Sequence, residues 1–174
     1  MLRRIHIENF KGVGSPVSLE LKPLTLLFGP NSSGKSTVLH AIHYAHAVLQ
    51  TNNPDIDRTR LGGDIELGGF KALVHNHNLN AKVVLGFEFD VAEEEFEEYM
   101  AWYLREPAEG VLVQGLERIY VQLTMTWSTL LGRPYVSAYS VSLNDERLAT
   151  ITASVDGTRS TIEDIRAASV LVEY

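Results

Sequence analysis

Cysteine is absent from this 174-residue sequence. Disulfide staples and zinc–thiolate centres are thereby excluded, and a reducing cytosol would suit the chain. Long apolar runs are absent too. No stretch approaches the roughly 18 residues that mark a membrane-spanning helix. Met1-Leu2-Arg3-Arg4 is basic, yet Arg4, His6, Glu8 and Asn9 alternate with the apolar residues that follow, so the stretch does not read as a signal peptide. The expectation is a cytoplasmic protein with no membrane association. Positive charge is in deficit: 15 Lys and Arg face 22 Asp and Glu, a net charge of −7. Phosphate contacts dominate nucleic-acid affinity, and the proteins that make them carry basic patches. This acidic segment is therefore not expected to supply a main DNA-binding surface. Arg3, Arg4 and Lys11 form a local basic spot that reads as a solvated strand end. What is present is a globular composition, 45% apolar and 21% charged. The length suits one domain with a sizeable core.

The chain is organised around Leu24 to Thr37. Leu24-Thr25-Leu26-Leu27-Phe28 is almost continuously apolar, the pattern of a strand covered on both faces. Gly29-Pro30-Asn31-Ser32-Ser33-Gly34-Lys35-Ser36-Thr37 then fits G-x-x-x-x-G-K-[ST]. Two glycines let the backbone turn tightly and bring its N–H groups close to a phosphate. Lys35 adds a point charge able to reach the β- and γ-phosphates, and the Ser36 hydroxyl is a ligand type that Mg²⁺ accepts. A helix follows from Ser36 to about Gln50, with Val38, Ala41, Ile42, Ala45, Val48 and Leu49 on one stripe. Its positive N-terminal end falls at the same spot. The expected binding residues are Gly29, Pro30, Asn31, Ser32, Ser33, Gly34, Lys35, Ser36 and Thr37. Lys35 is the catalytic candidate and Ser36 the metal ligand, with ATP and Mg²⁺ as the cofactors.

Elsewhere the period is two. Leu2–Phe10 alternates, with Ile5 and Ile7 opposite Arg4, His6 and Glu8. Asn9–Ser15, carrying Gly12 and Gly14, is a turn, and Val17, Leu19 and Leu21 make a second strand closed by Pro23. Thr51–Gly69 is a long polar loop, and Phe70–Val74 is a short strand or helical turn. Strands are expected at Val83–Val91, Ile119–Ser128, Val136–Leu143 and Arg147–Val155, and Thr161–Ile165 opens a last element. Three groups resemble chemical sites and read as ordinary surface instead. His40, His43 and His46 sit three apart on the helix, whereas metal binding wants a tighter pair with a third ligand. His75-Asn76-His77 has no evident carboxylate or thiolate partner. Glu93–Glu98 opens an acidic helix running towards Pro107, with its charge at the favourable end of the dipole. The expected fold class is α/β: a P-loop NTPase core with an adjoining antiparallel β-sheet over about residues 80–174.

Arg4-Ile5-His6-Ile7-Glu8-Asn9-Phe10-Lys11-Gly12 resembles the opening strand of the SMC/RecF/OLD-like branch of ABC-type ATPases, which ends in Asn-Phe and a basic residue. Leu26–Thr37 resembles that branch's Walker A. Asp55–His77, with Arg58-Thr59-Arg60-Leu61-Gly62-Gly63 and Gly68-Gly69-Phe70, is similar to bacterial AAA-type ATPases of the branch. Several members of the branch act in DNA repair or phage defence. The resemblance implies that residues 1–174 are the N-terminal lobe of an ABC-type head, with the rest of the head supplied by a C-terminal lobe. It implies ATP sandwiched between two heads in a homodimer, with DNA reached only through the complete assembly; an effector protein such as a nuclease would instead be the partner of a module without turnover. The branch's signature motif, Walker B Asp-Glu and switch His are not found. Phe87-Glu88-Phe89-Asp90 makes a poor Walker B, because its apolar residues alternate and no second acid follows. No water-orienting glutamine is assigned among Gln50, Gln114 and Gln122. A nucleotide-binding module without turnover is the alternative. A GTPase lacks its Asp-x-x-Gly and Asn-Lys-x-Asp motifs here, and a nucleotide kinase lacks an arginine-rich lid.

Overall fold

The computed structural model describes residues 1–50, 56–57, 60–61, 65–92, 111–113, 115–156, 158–163 and 171–173. The acidic stretch Glu93–Glu98, Arg58 and Thr59, and Gln114 lie outside the described residues. In chain order the elements are β1 (Leu2–Glu8), β2 (Val17–Glu20), α1 (Lys35–Gln50), β3 (Arg60–Leu61), β4 (Ile65–Glu66), α2 (Gly69–Leu73), β5 (Val83–Asp90), β6 (Val111–Val113), β7 (Arg118–Ser128), β8 (Arg133–Leu143), β9 (Glu146–Ala153), β10 (Ser160–Glu163) and β11 (Leu171–Glu173). A tight 3-10 turn at His75–His77 follows α2.

Seven strands form one sheet in the order β10-β9-β8-β7-β5-β1-β2. Every neighbouring pair in it is antiparallel. The alternation along each strand becomes two opposed faces once the register is set. One cross-strand row reads Val17, Ile7, Leu85, Leu123, Tyr139, Ile151, Ile162. The row beside it on the other face reads Ser18, His6, Gly86, Gln122, Ser140, Thr150, Glu163. The centre of the first row, Ile7, Leu85 and Leu123, is buried, while Val17, Ile151 and Ile162 at its ends are exposed. A one-residue slip would exchange the two faces, so burial of that centre holds the register.

Helices α1 and α2 cover the apolar face. Ile5, Ile7, Leu85, Phe87, Leu123 and Met125 from the sheet are buried with Ala41, Tyr44 and Ala45 from α1 and Phe70 and Leu73 from α2. The Tyr44 ring lies 5.9 Å from Phe10, and its hydroxyl donates to the Ile56 carbonyl at 3.0 Å. Phe70 stacks on Trp127 at 6.4 Å, with the Lys71 ammonium 4.7 Å from the centre of the same ring. The buried stripe of α1 includes Tyr44, which the spacing argument passed over, and omits Leu49, which is exposed.

Ion pairs settle on the polar face. Arg4 bridges Glu20 at 3.2 Å and Glu88 at 3.1 Å. The β1–β5 register shifts between Leu2 and Arg4, and the neighbouring Arg3 reaches Glu88 at 3.5 Å and Asp90 at 3.2 Å. Arg3 and Arg4 of the basic spot are thus neutralised by three carboxylates, Glu20, Glu88 and Asp90.

Two expectations are corrected. The strand-rich part does not begin near residue 80, because β1 and β2 are members of the same sheet. Leu24–Phe28 is not a buried strand: it has no regular secondary structure, pairs with no strand among the described residues, and leaves Leu24, Leu26 and Phe28 at 78, 64 and 85% exposure. A strand covered on both faces needs neighbours on both sides. Each of the seven strands is hydrogen-bonded within the antiparallel sheet, and that sheet ends at β2. No parallel pair occurs among the described strands.

Candidate functional site

The loop from Gly29 to Thr37 owes its shape to three residues with positive φ. Gly29 (152°), Ser32 (65°) and Gly34 (93°) turn the backbone where a side chain at the two glycine positions would be strained. The chain then enters α1 at Lys35, and the Thr37 N–H donates to the Gly34 carbonyl at 2.9 Å. Helix α1 is 16 residues long, so the positive end of its dipole lies at this loop. The Lys35 ammonium donates to the carbonyls of Gly29 at 2.8 Å and Pro30 at 2.6 Å. It is held over the mouth of the loop, where a phosphate chain would meet it.

A cavity of about 460 Å³ opens here, lined by Gly12, Val13 and residues 31–37. Asn31, Ser32, Ser33, Gly34, Lys35, Ser36 and Thr37 therefore share one concavity, as the motif requires. Gly29 and Pro30 are not among the lining residues, and their carbonyls hold Lys35. The Ser36 hydroxyl is exposed and the Thr37 side chain is buried. Mg²⁺ keeps several waters and takes few protein ligands beside substrate phosphates, so the Ser36 hydroxyl fits as one such ligand. No group of three or more His, Cys, Asp or Glu able to hold a metal ion occurs among the described residues.

The second wall, Gly12 and Val13, is invisible to motif reading, since composition shows only a turn at Asn9–Ser15. The turn is tied down on several sides. Phe10 and Val13 exchange backbone hydrogen bonds at 2.9 and 3.0 Å, and the Lys11 N–H donates to the Leu73 carbonyl at 2.6 Å. Lys11 also reaches α1, where its ammonium donates to Nδ1 of His40 at 2.7 Å. Burial holds the Lys11 ammonium below the usual lysine range. Burial first, then the charges of Lys11 and His43, hold the His40 imidazole below its ordinary value. Both shifts suit a neutral His40 that accepts. His43 and His46 are exposed. His75 and His77 each bind a backbone carbonyl through Nδ1, that of Lys11 and that of Lys71.

Glu88 and Asp90 lie on β5 and are engaged by Arg3 and Arg4. Neither lines the cavity, so the doubtful Walker B remains without support. Among the described residues, those lining the cavity include no carboxylate.

Residues 1–123 match the AAA ATPase domain family. The chain belongs to that family. Within this ATPase domain a shorter stretch is similar to the DNA replication and repair protein RecF of Chlorobium luteolum (strain DSM 273 / BCRC 81028 / 2530), at 46% identity over 43 residues. That match covers 25% of the chain and 12% of the relative. The Gly29–Thr37 loop thus sits in a domain of ATP-binding type, with RecF-like similarity. No helix among the described residues is long and apolar enough to cross a membrane.

Proposed function

We propose that this ATPase domain binds ATP with Mg²⁺ in the Gly12–Thr37 cavity and serves as the N-terminal lobe of an ABC/SMC-like head. Lys35 neutralises the β- and γ-phosphates, Ser36 ligates the cation, and the loop N–H groups and helix dipole cradle the phosphate chain. A C-terminal lobe completes the head, and ATP then joins two heads face to face until hydrolysis releases them. The biological setting is DNA repair or phage defence, with DNA engaged by the assembly rather than by this acidic lobe.

One observation carries this reading: an assembled phosphate loop is fed by an apolar segment, Leu24–Phe28, that is uncovered. A segment of that pattern is stable in water only when other strands cover it. That no carboxylate lines the cavity among the described residues favours a second reading, in which nucleotide occupancy without turnover controls assembly with an effector such as a nuclease.

ATP binding and turnover by the chain, measured beside Lys35→Ala, test both. Binding that depends on Lys35 without turnover is the expected result for an incomplete head. Addition of a completing lobe should then produce turnover and ATP-dependent dimers in size-exclusion chromatography. Binding that never leads to turnover in the completed assembly supports the regulatory module. Turnover by the chain alone overturns the half-head.

A further inference from the structure

The cavity has two walls, and the motif explains only one. The other is the Gly12–Val13 edge of a turn that contains two left-handed residues other than glycine, Asn9 (φ 52°) and Lys11 (φ 50°). Asparagine visits that region readily, but a lysine holds it only when its surroundings impose it. His75 imposes it from three directions. Its backbone N–H donates to the Asn9 carbonyl at 2.9 Å. Its ring Nδ1–H donates to the Lys11 carbonyl at 2.8 Å, a tautomer dictated by a partner that can only accept. Its ring also lies against Gly14, where an added Cβ would come within 2.6 Å of Nε2.

The Lys11 carbonyl and the Gly12 N–H belong to one planar peptide unit. Fixing the carbonyl fixes the N–H. Among the described residues the Gly12 N–H has no hydrogen-bond partner, and Gly12 borders the cavity.

Resting on the nucleotide-binding reading above, we propose that His75 is a positioning residue for the nucleotide. By holding the Lys11–Gly12 peptide plane, it sets the second wall of the cavity and presents the Gly12 N–H to an acceptor oxygen of the bound nucleotide. His75 does this from beyond α2, 40 residues past Lys35 in the chain (75 − 35), through hydrogen bonds to Asn9 and Lys11. The imidazole acts as a brace and takes no part in chemistry.

The test is calorimetric titration of the chain with ATP and Mg²⁺, with thermal melting of each variant in parallel. His75→Ala should bind ATP about tenfold more weakly, the scale of one lost oriented hydrogen bond. His75→Asn places an amide N–H near the position of Nδ1 and should restore affinity to within about threefold of the parent. Gly14→Ala, which pushes the ring aside, should resemble His75→Ala. A folded His75→Ala that binds ATP like the parent overturns the proposal, and so does an Asn variant as weak as the Ala variant. If His75→Ala fails to fold, the Asn and Gly14→Ala variants decide by the same criteria. If the parent chain itself does not bind ATP, or binds equally well as Lys35→Ala, the nucleotide reading falls and takes this inference with it.

Discussion

Two apolar stretches of similar composition meet opposite fates in this molecule. Val83–Phe89 of β5 is an interior strand of the sheet, with Ile5 and Ile7 on one flank and Val121, Leu123 and Met125 on the other. Leu85 is fully buried. Leu24–Phe28 is just as apolar, yet Phe28 is almost wholly exposed. Burial is thus a property of a stretch together with its partners. The β5 strand finds them 78 residues back in Ile7 (85 − 7) and 38 residues on in Leu123 (123 − 85). The phosphate-loop segment finds none among the described strands.

The sharpest way to break that contrast is to truncate one leucine-sized side chain in each stretch. Leu85→Ala should cost about 2–5 kcal/mol in denaturant unfolding, as lost transfer energy plus a cavity. Leu26→Ala should stay within about 0.5 kcal/mol, as for ordinary surface changes. A large loss at Leu26 would mean that the segment is covered in the folded chain.

The loop between the two environments gives the next effect. Lys35→Ala should weaken ATP binding by about 10- to 100-fold, the scale of charge-assisted hydrogen bonds, with little change in melting temperature. Equal losses of affinity and stability would show that Lys35 serves chiefly to close its own loop through Gly29 and Pro30.

The polar face of β5 should respond less than its apolar face. Glu88→Ala removes a nearly buried carboxylate from Arg3 and Arg4, which are themselves partly solvated. A stability loss of about 1–2 kcal/mol is expected, well below that of Leu85→Ala and weakened further by salt. A loss as large as that of Leu85→Ala would mean that the charge network, rather than the apolar row, fixes the register.

The smallest effect concerns pH. His40 is held below its ordinary value of 6.5 by burial, by Lys11 and by His43. The unfolded chain therefore binds more protons on this residue than the folded chain. Its contribution to stability is complete above about pH 6.5 and is lost as the pH falls towards the lower folded value. His40→Gln should flatten a melting-temperature profile between about pH 7.5 and pH 5. An unchanged profile would show that Lys11 and His40 are not coupled in solution.

Much of this architecture is legible from residue order. Strands β1, β2, β5, β7, β8 and β9 announce themselves by alternation, because side chains two apart share a face. The helix after Ser36 is legible from its stripe, and the loop from its glycines and lysine. Leu49 and Tyr44 show the limit of that reading, since a stripe identifies a face and the packing partner chooses its centre. Arg3 and Arg4 show another. Their neutralisation depends on Glu88, 84 residues beyond Arg4, and on a register shift in β1.

What the sequence by itself determined is therefore local: the positions of α1 and of the alternating strands, and the turn of the Gly29–Thr37 loop into α1, because φ, ψ and side-chain period depend on neighbours along the chain. Only the tertiary structure decided that β1 and β2 join the antiparallel sheet, that Leu24–Phe28 lies outside it, and that Gly12 and Val13 face the loop under the hold of His75. Those outcomes depend on which distant backbone groups find each other, and no run of adjacent residues records that choice.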